Sequence, residues 1–366
     1  MPMNYRRASV FTGVVITLVC CYAVYQKTSS QPIKGRGEMY GATGARYVQK
    51  EQDMYVNPRS AVTRSALCKK FKPLPKQVIA GVEKFVFFVG KGKSGTTITA
   101  SLMDAHPNMI VSNEYFLKTK LLKGKHPQLL KLAMNKTDLF NRLYKQSWED
   151  SCHGATSVSR AKSGHHYGVG IVSNFSWHGM YKDLKVIGDK DGYAVGQLYQ
   201  RYPIYFRQFF RKLSDTLQIP IQAVHMIRNP YDAIASKCLT NLLMQGRPPT
   251  ETNKYNNTRC LKEQTIPYFS VETGVMKMKN DTGLNLKILD IHNADFVKRP
   301  VETVRNICEF FEVDCPEGYL QACKEKAYSA VSKTRRLVVW PKELRKRIDE
   351  AMKKFPFFQR YSYDSE

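Results

Sequence analysis

The chain has 366 residues and a mass of 42.0 kDa, with 43% hydrophobic and 24% charged residues, which admits one large α/β domain with appendages or two modest domains and excludes wholesale disorder, collagen-like repeats and a multispan membrane protein. Lys and Arg total 57 against 31 Asp and Glu, a formal charge of +26, which points to a polyanionic partner: nucleic acid, a phosphorylated cofactor, an acidic glycan or a membrane surface. Nine cysteines without a CxxC pair argue against a small disulfide scaffold and against a structural zinc site.

Residues 1–7 read as a short cytoplasmic tail. From Ala8 to Gln26 no residue is charged, and these 19 positions reach roughly 28 Å, about the thickness of bilayer hydrocarbon. Arg6 and Arg7 precede the run and no small-residue cleavage site follows it, so residues 8–26 are expected to be a transmembrane signal anchor rather than a cleaved signal peptide. The body then lies in the secretory lumen, where a basic surface meets acidic glycans, acidic peptides or a nucleotide carrier and no nucleic acid. Four sequons, at Asn135, Asn174, Asn256 and Asn280, agree with that compartment. Seven cysteines remain outside the apolar run, an odd number, so one is free or intermolecular; Cys315–Cys323 is the first pairing expected and Cys238–Cys260 the second.

Residues 27–82 are polar with little periodicity and read as a stem, leaving 83–366 as the globular domain. Lys84–Val89 is an unbroken apolar, β-rich run, the mark of a strand buried on both faces. It enters a turn holding Gly90, Lys91, Gly92, Lys93, Ser94, Gly95, Thr96 and Thr97, and a helical pattern follows with Ile98, Leu102 and Met103 on one face. Short strands are expected at Met109–Val111, Leu184–Ile187, Gln222–Ile227 and Leu286–Ile291, and amphipathic helices over Pro300–Phe311 and Pro341–Lys354. Strands alternating with helices predict a parallel α/β sheet of the P-loop NTPase kind, flanked by helices. Residues 145–182 and 240–282 fit neither pattern and read as functional loops.

Strand, Gly-rich turn and helix form a cradle for phosphate, in which backbone N–H groups converge and the helix N-terminus adds positive potential. Gly90 and Gly95 have the spacing of an ATPase loop, but Thr96 stands where that loop carries its Lys, which argues against cleavage between β- and γ-phosphates. A second strand–helix junction carries Arg228, a planar fork suited to phosphate, with Ser236 about two helical turns further on.

Lys93-Ser-Gly-Thr-Thr97 after a strand resembles the 5′-phosphosulfate loop of sulfotransferases that use 3′-phosphoadenosine 5′-phosphosulfate (PAPS), and Arg228-Asn-Pro-Tyr-Asp-Ala-Ile-Ala-Ser236 resembles their 3′-phosphate motif. The resemblance covers residues 84–360 and points to the lumenal, Golgi-type branch of single-pass type II membrane enzymes. It implies that Lys93 stabilises leaving-group charge, that the backbone of Gly95, Thr96 and Thr97 holds the 5′-phosphate with the Thr hydroxyls adding donors, and that Lys91, Gly92, Lys93 and Ser94 belong to the same cofactor-binding loop. Arg228 and Ser236 would hold the 3′-phosphate. Ser332-Lys-Thr-Arg-Arg336 resembles the late basic loop that closes over the same phosphate, which adds Lys333, Arg335 and Arg336.

Sulfuryl transfer to a hydroxyl needs a base near the acceptor oxygen. Glu114, at the end of the second expected strand, resembles the catalytic Glu of lumenal tyrosine- and glycan-directed sulfotransferases; His106 is the rival, and His165 and His166 are distant alternatives. Lys190 is expected either to neutralise charge at the site or to make a structural salt bridge. The reaction needs no metal. A glycan acceptor is expected first, a tyrosine in an acidic peptide second, and a non-catalytic glycan-binding protein of the same fold third. The oligomeric state stays open.

Overall fold

The computed structural model describes residues 70–114, 135–152, 177–245 and 247–365. The tail, the anchor and residues 27–69 of the stem lie outside them. Among the described residues, no helix is long and apolar enough to cross a membrane.

The sheet has five parallel strands in the order β2-β3-β1-β4-β5. They are β1 (Lys84–Val89), β2 (Met109–Asn113), β3 (Val186–Lys190), β4 (Ile221–Ile227) and β5 (Lys287–His292). Every residue of β1 to β4 is buried, as a sheet covered on both faces requires. In β1 the faces alternate: Phe85, Phe87 and Val89 enter one core and Val86 and Phe88 the other.

The first core is closed by α1 (Lys76–Gly81), α3 (Lys136–Cys152), α4 (Gly192–Arg201) and α5 (Pro203–Leu217), through Ile79, Phe140, Leu143, Val195, Phe206 and Phe210. The second is closed by α2 (Thr96–Asp104), α9 (Pro300–Phe311) and α10 (Glu317–Lys326), reached after the short α8 (Asn293–Lys298). A third cluster joins α6 (Pro230–Met244), α7 (Thr258–Lys279) and α11 (Lys342–Met352) to the C-terminal Phe355, Phe358 and Tyr361.

The chain leaves β1 toward β2 and leaves β4 toward β5, in opposite directions from neighbouring strands. The carboxyl ends of β1 and β4 therefore flank the crevice where parallel α/β sheets bind their ligands. Val89 lies in register with His225, so the turn after β1 and the segment after β4 emerge side by side.

Four expectations need correction. The body starts before residue 83: Leu74, Ile79 and Val82 are buried, and the Leu74 amide donates to Asn141 Oδ1 at 2.7 Å. β3 runs through Asp189 and Lys190, both buried, with Asp189 accepting from buried Ser112 and Lys190 pairing with half-buried Glu114. The stretch 240–282, read as a loop, holds α7, whose 22 residues include Pro267; likewise α3 extends into 145–182, of which residues 153–176 lie outside the described ones. Cys308 bonds to Cys315 rather than Cys315 to Cys323, since the chain turns at Glu312 (φ 54°) and brings their Cα atoms within 5.8 Å, while Cys323 is buried and free. The second pairing, Cys238–Cys260, is present and ties α6 to α7. The sequon residues Asn135, Asn256 and Asn280 are exposed.

Candidate active site

The turn after β1 is built by left-handed residues. Gly90 (φ 98°), Lys93 (φ 75°) and Gly95 (φ 101°) coil the backbone before α2, and Gly95 caps that helix without a side-chain hydrogen bond. The first N–H groups of α2 are thus left to the crevice. A Cβ on Gly90 would lie 2.8 Å from His225 Cδ2, so Gly90 is demanded by space as well as by φ, whereas at Gly95 the left-handed φ alone demands glycine. Ser94 is buried, and its Oγ finds no hydrogen-bond partner. Thr96 is buried and Lys91, Gly92, Lys93, Gly95 and Thr97 are half-buried around it.

Arg228 joins this turn to the β4 junction. Its Nη1 donates to the Lys93 carbonyl at 2.8 Å and its Nη2 to the Ser332 carbonyl at 3.0 Å, while its Nε is buried with no partner. Two orphaned donors, Ser94 Oγ and Arg228 Nε, thus sit on the two segments that converge at the crevice. Each costs about 1–3 kcal/mol unless an acceptor arrives. Ser236 is half-buried on α6, and the next residue, Lys237, lies near Lys91: burial, and after it repulsion from Lys237, pulls the Lys91 ammonium down to about 8 against the attraction of Glu272. Paired cations at a Gly-rich turn suit a polyphosphorylated ligand. Lys237 was missed by sequence reasoning; one helical residue after Ser236, it had no motif to mark it.

The remainder of the Arg228 motif is scaffolding. Asn229 caps α6, its Oδ1 accepting from the Tyr231 amide at 3.1 Å, and its Nδ2 donates to the Ser362 carbonyl at 2.8 Å. Tyr231 is buried, with its hydroxyl 2.8 Å from both Arg345 O and Asp349 Oδ1. Asp232 accepts from the Arg335 amide at 2.9 Å and pairs with the Arg335 guanidinium. Arg335 is 0% exposed, and its remaining donors go to the carbonyls of Tyr363 and Ser365. Its assignment to the 3′-phosphate is therefore corrected: every nitrogen is committed inside the protein. Lys333 is half-buried, and Arg336 is exposed with Glu251 at 3.8 Å.

Glu114 follows β2 in a left-handed turn (φ 58°), two strand spacings or about 10 Å from the β1 end. The Lys190 ammonium, on a side chain 4% exposed, donates to Glu114 Oε1 at 2.9 Å, and the Glu114 amide donates to the Lys190 carbonyl at 3.1 Å. Beneath them Ser112 Oγ donates to Asp189 at 2.6 Å. The carboxylate is thus fixed to the same sheet edge as the phosphate turn. Lys190 makes the salt bridge that was one of its two expected roles.

His106 is no base. It is 0% exposed, its Nε2 donates to the Asp314 carbonyl at 2.8 Å, and its Nδ1 accepts from the Asn108 amide at 3.1 Å. Burial, outweighing the Asp314 carbonyl, holds it neutral down to about 4. His165, His166 and the sequon residue Asn174 lie outside the described residues.

Residues 221–317, from β4 into α10, match the model of the Sulfotransferase family. The chain matches no curated protein. Among solved structures it is similar to the sulfotransferase domain of the Synechococcus PCC 7002 olefin synthase (14% identity, 78% of this chain and 96% of that one, TM-score 0.38). It is also similar to the mouse sulfotransferase SULT7A1 complexed with PAP (13%, 76% and 87%, 0.37) and to sulfotransferase STF9 from Mycobacterium avium (11%, 97% and 98%, 0.39).

Proposed function

We propose that this chain is a PAPS-dependent sulfotransferase that moves the sulfuryl group to a glycan hydroxyl in the Golgi lumen, anchored by residues 8–26. The observation that carries the reading is the Arg228 bridge to the Lys93 carbonyl, with Arg228 Nε and Ser94 Oγ buried and unsatisfied beside it. The match of residues 221–317 supports the same reading. The donor supplies an activated sulfuryl group on a phosphate leaving group.

The chain's own residues divide the work. Ser94, Thr96, Thr97 and the N-terminus of α2 hold the 5′-phosphate, with Lys91 and Lys93 supplying charge. Arg228 and Ser236 hold the 3′-phosphate. Lys93 neutralises the negative charge that gathers on the leaving oxygen. Glu114, oriented by Lys190, accepts the proton of the acceptor hydroxyl. The +26 charge favours an acidic or already sulfated acceptor, such as a glycosaminoglycan.

The test is transfer of labelled sulfate from PAPS to a panel of heparan, chondroitin, N-glycan and acidic tyrosine peptide. Lys93→Ala and Glu114→Ala are each expected to lower kcat by about a hundredfold or more. Turnover on the tyrosine peptide alone would move the acceptor from sugar to protein. Glycan binding without turnover would make the chain a lectin-like binder, and no affinity for 3′,5′-adenosine bisphosphate (PAP) would sink the donor site.

A further inference from the structure

His225 sits in the middle of β4, wholly buried, between two carboxylates that come from different elements. Its Nε2 lies 3.0 Å from Glu272 Oε2 of α7, and its Nδ1 lies 3.0 Å from Asp290 Oδ1 of β5. A carboxylate only accepts, so the ring donates from both nitrogens and is an imidazolium. Lys279, also from α7, pairs with Asp290, which closes the account at two negative and two positive charges. The edge of Phe357 covers the ring at 4.9 Å between centroids.

Glu272 is 1% exposed and has one oxygen left over; Oε1 accepts the Lys91 amide at 2.8 Å. Gly90, just before, rests on the His225 ring itself. The turn therefore starts on a platform made of the His225 imidazole ring and a buried carboxylate. Neither residue has an exposed atom with which to meet a substrate, and the donor-site assignment above uses neither.

We propose that His225 and Glu272 are positioning residues for the donor: by holding the Lys91 amide and the left-handed Gly90 they preset the phosphate turn. This rests on the donor reading for its consequence and on the hydrogen bonds alone for its structural part. The ordering cost of the turn is met during folding rather than on binding, so the pair acts on donor affinity and leaves acceptor affinity alone. The titratable groups that face the pair are Lys279 and Tyr268 of α7, Asp290 and His292 of β5, and Lys91 of the turn. Burial opposes the charge on His225, but the hydrogen bonds to Asp290 and Glu272 outweigh it and the ring's affinity for its proton rises.

The experiment uses the full chain and two variants. Glu272→Ala removes the amide's partner. Glu272→Gln keeps it, because the amide oxygen still accepts from Lys91 while its NH2 donates to a neutral His225. Hydrogen–deuterium exchange over residues 89–95 reads the turn without ligand, and calorimetry with PAP reads the donor site. Glu272→Ala is expected to speed exchange in the turn and to weaken PAP, and the donor KM, by about tenfold, with acceptor KM unchanged. Glu272→Gln is expected to restore both to within about threefold. Unchanged exchange and unchanged PAP affinity in Glu272→Ala would overturn the proposal, as would a Glu272→Gln variant as impaired as Glu272→Ala. A wild type that ignores PAP while the turn loosens in Glu272→Ala would remove the donor reading and keep the positioning role.

Discussion

Beneath the β1 end of the crevice, His225 and Glu272 are wholly buried, and the last hydrogen-bonding capacity of the network is spent on the Lys91 amide of the phosphate turn. Beneath the β4 end, Asp232 and Arg335 are equally buried, but their capacity is spent on the chain's own C-terminal carbonyls at Tyr363 and Ser365. The ingredient is the same, a charge pair that gains little net stability by itself once desolvation is counted. What separates the two is the destination of the spare bond. The first network terminates on the segment we propose to hold the donor, the second on a segment of the C-terminus.

The comparison breaks most visibly at Asp232. Truncation to Ala leaves the Arg335 guanidinium buried without its counter-charge, at a cost of about 3–5 kcal/mol. Thermal unfolding should move down by about 10 °C in a domain of this size. PAP affinity of the surviving folded fraction should stay near wild type. The reverse pattern, a small loss of stability with PAP binding weakened about a hundredfold, would restore Arg335 to the donor site and undo the contrast.

A second measurement sharpens the β1 side. Lys91 loses its proton near pH 8, because burial and then Lys237 disfavour its charge more than Glu272 supports it. An anion bound in the turn favours the charged form, so the bound pKa lies above the free one. Affinity is then full below about 8 and falls as pH rises through and beyond that value. Calorimetry of PAP binding at a pH of about 8.5, in two buffers of different ionisation enthalpy, should show net proton uptake. Lys91→Met should abolish the uptake and Lys91→Arg should abolish it while keeping affinity. Equal enthalpies in both buffers for wild type would mean that Lys91 faces away from the anion.

The same contrast explains what the sequence discloses and what it conceals. β1 and β4 are legible because a strand buried on both faces must be a continuous apolar run, and Phe85 to Val89 and Ala223 to Ile227 nearly are. The turn is legible because left-handed backbone forces glycine at Gly90 and Gly95. α7 is not, since its core face carries Thr265, Glu272 and Gly274 among Leu261, Tyr268, Val271, Val275 and Met278, and Pro267 interrupts it. Gly274 is there because α4 packs against it backbone to backbone: a Cβ would lie 2.0 Å from Gly196 O. A helix whose buried side holds a carboxylate and a glycine has no amphipathic signature, so Glu272, and the platform it forms with His225, leaves no trace in spacing. Arg335 fails for the opposite reason. A basic cluster late in an α/β domain looks the same whether its guanidinium faces phosphate or a buried Asp.

Arg335 and Arg336 put that last ambiguity to the smallest test. They are adjacent, yet Arg335 is sealed inside while the Arg336 side chain is 46% exposed, with Glu251 no closer than 3.8 Å. An exposed pair so loosely held contributes little, so Arg336→Ala should leave the unfolding midpoint within about 1–2 °C of wild type. Arg336 is exposed on the loop whose Ser332 carbonyl accepts from Arg228, so under the proposed donor site its charge would bear on the 3′-phosphate only across solvent. PAP affinity in Arg336→Ala should accordingly fall by about two- to fivefold at low salt, and the difference should fade at higher ionic strength, as a screened interaction requires. A loss that persists unchanged in salt would instead place Arg336 in direct contact with the phosphate, and the late basic loop would then belong to the donor site through its exposed arginine rather than its buried one.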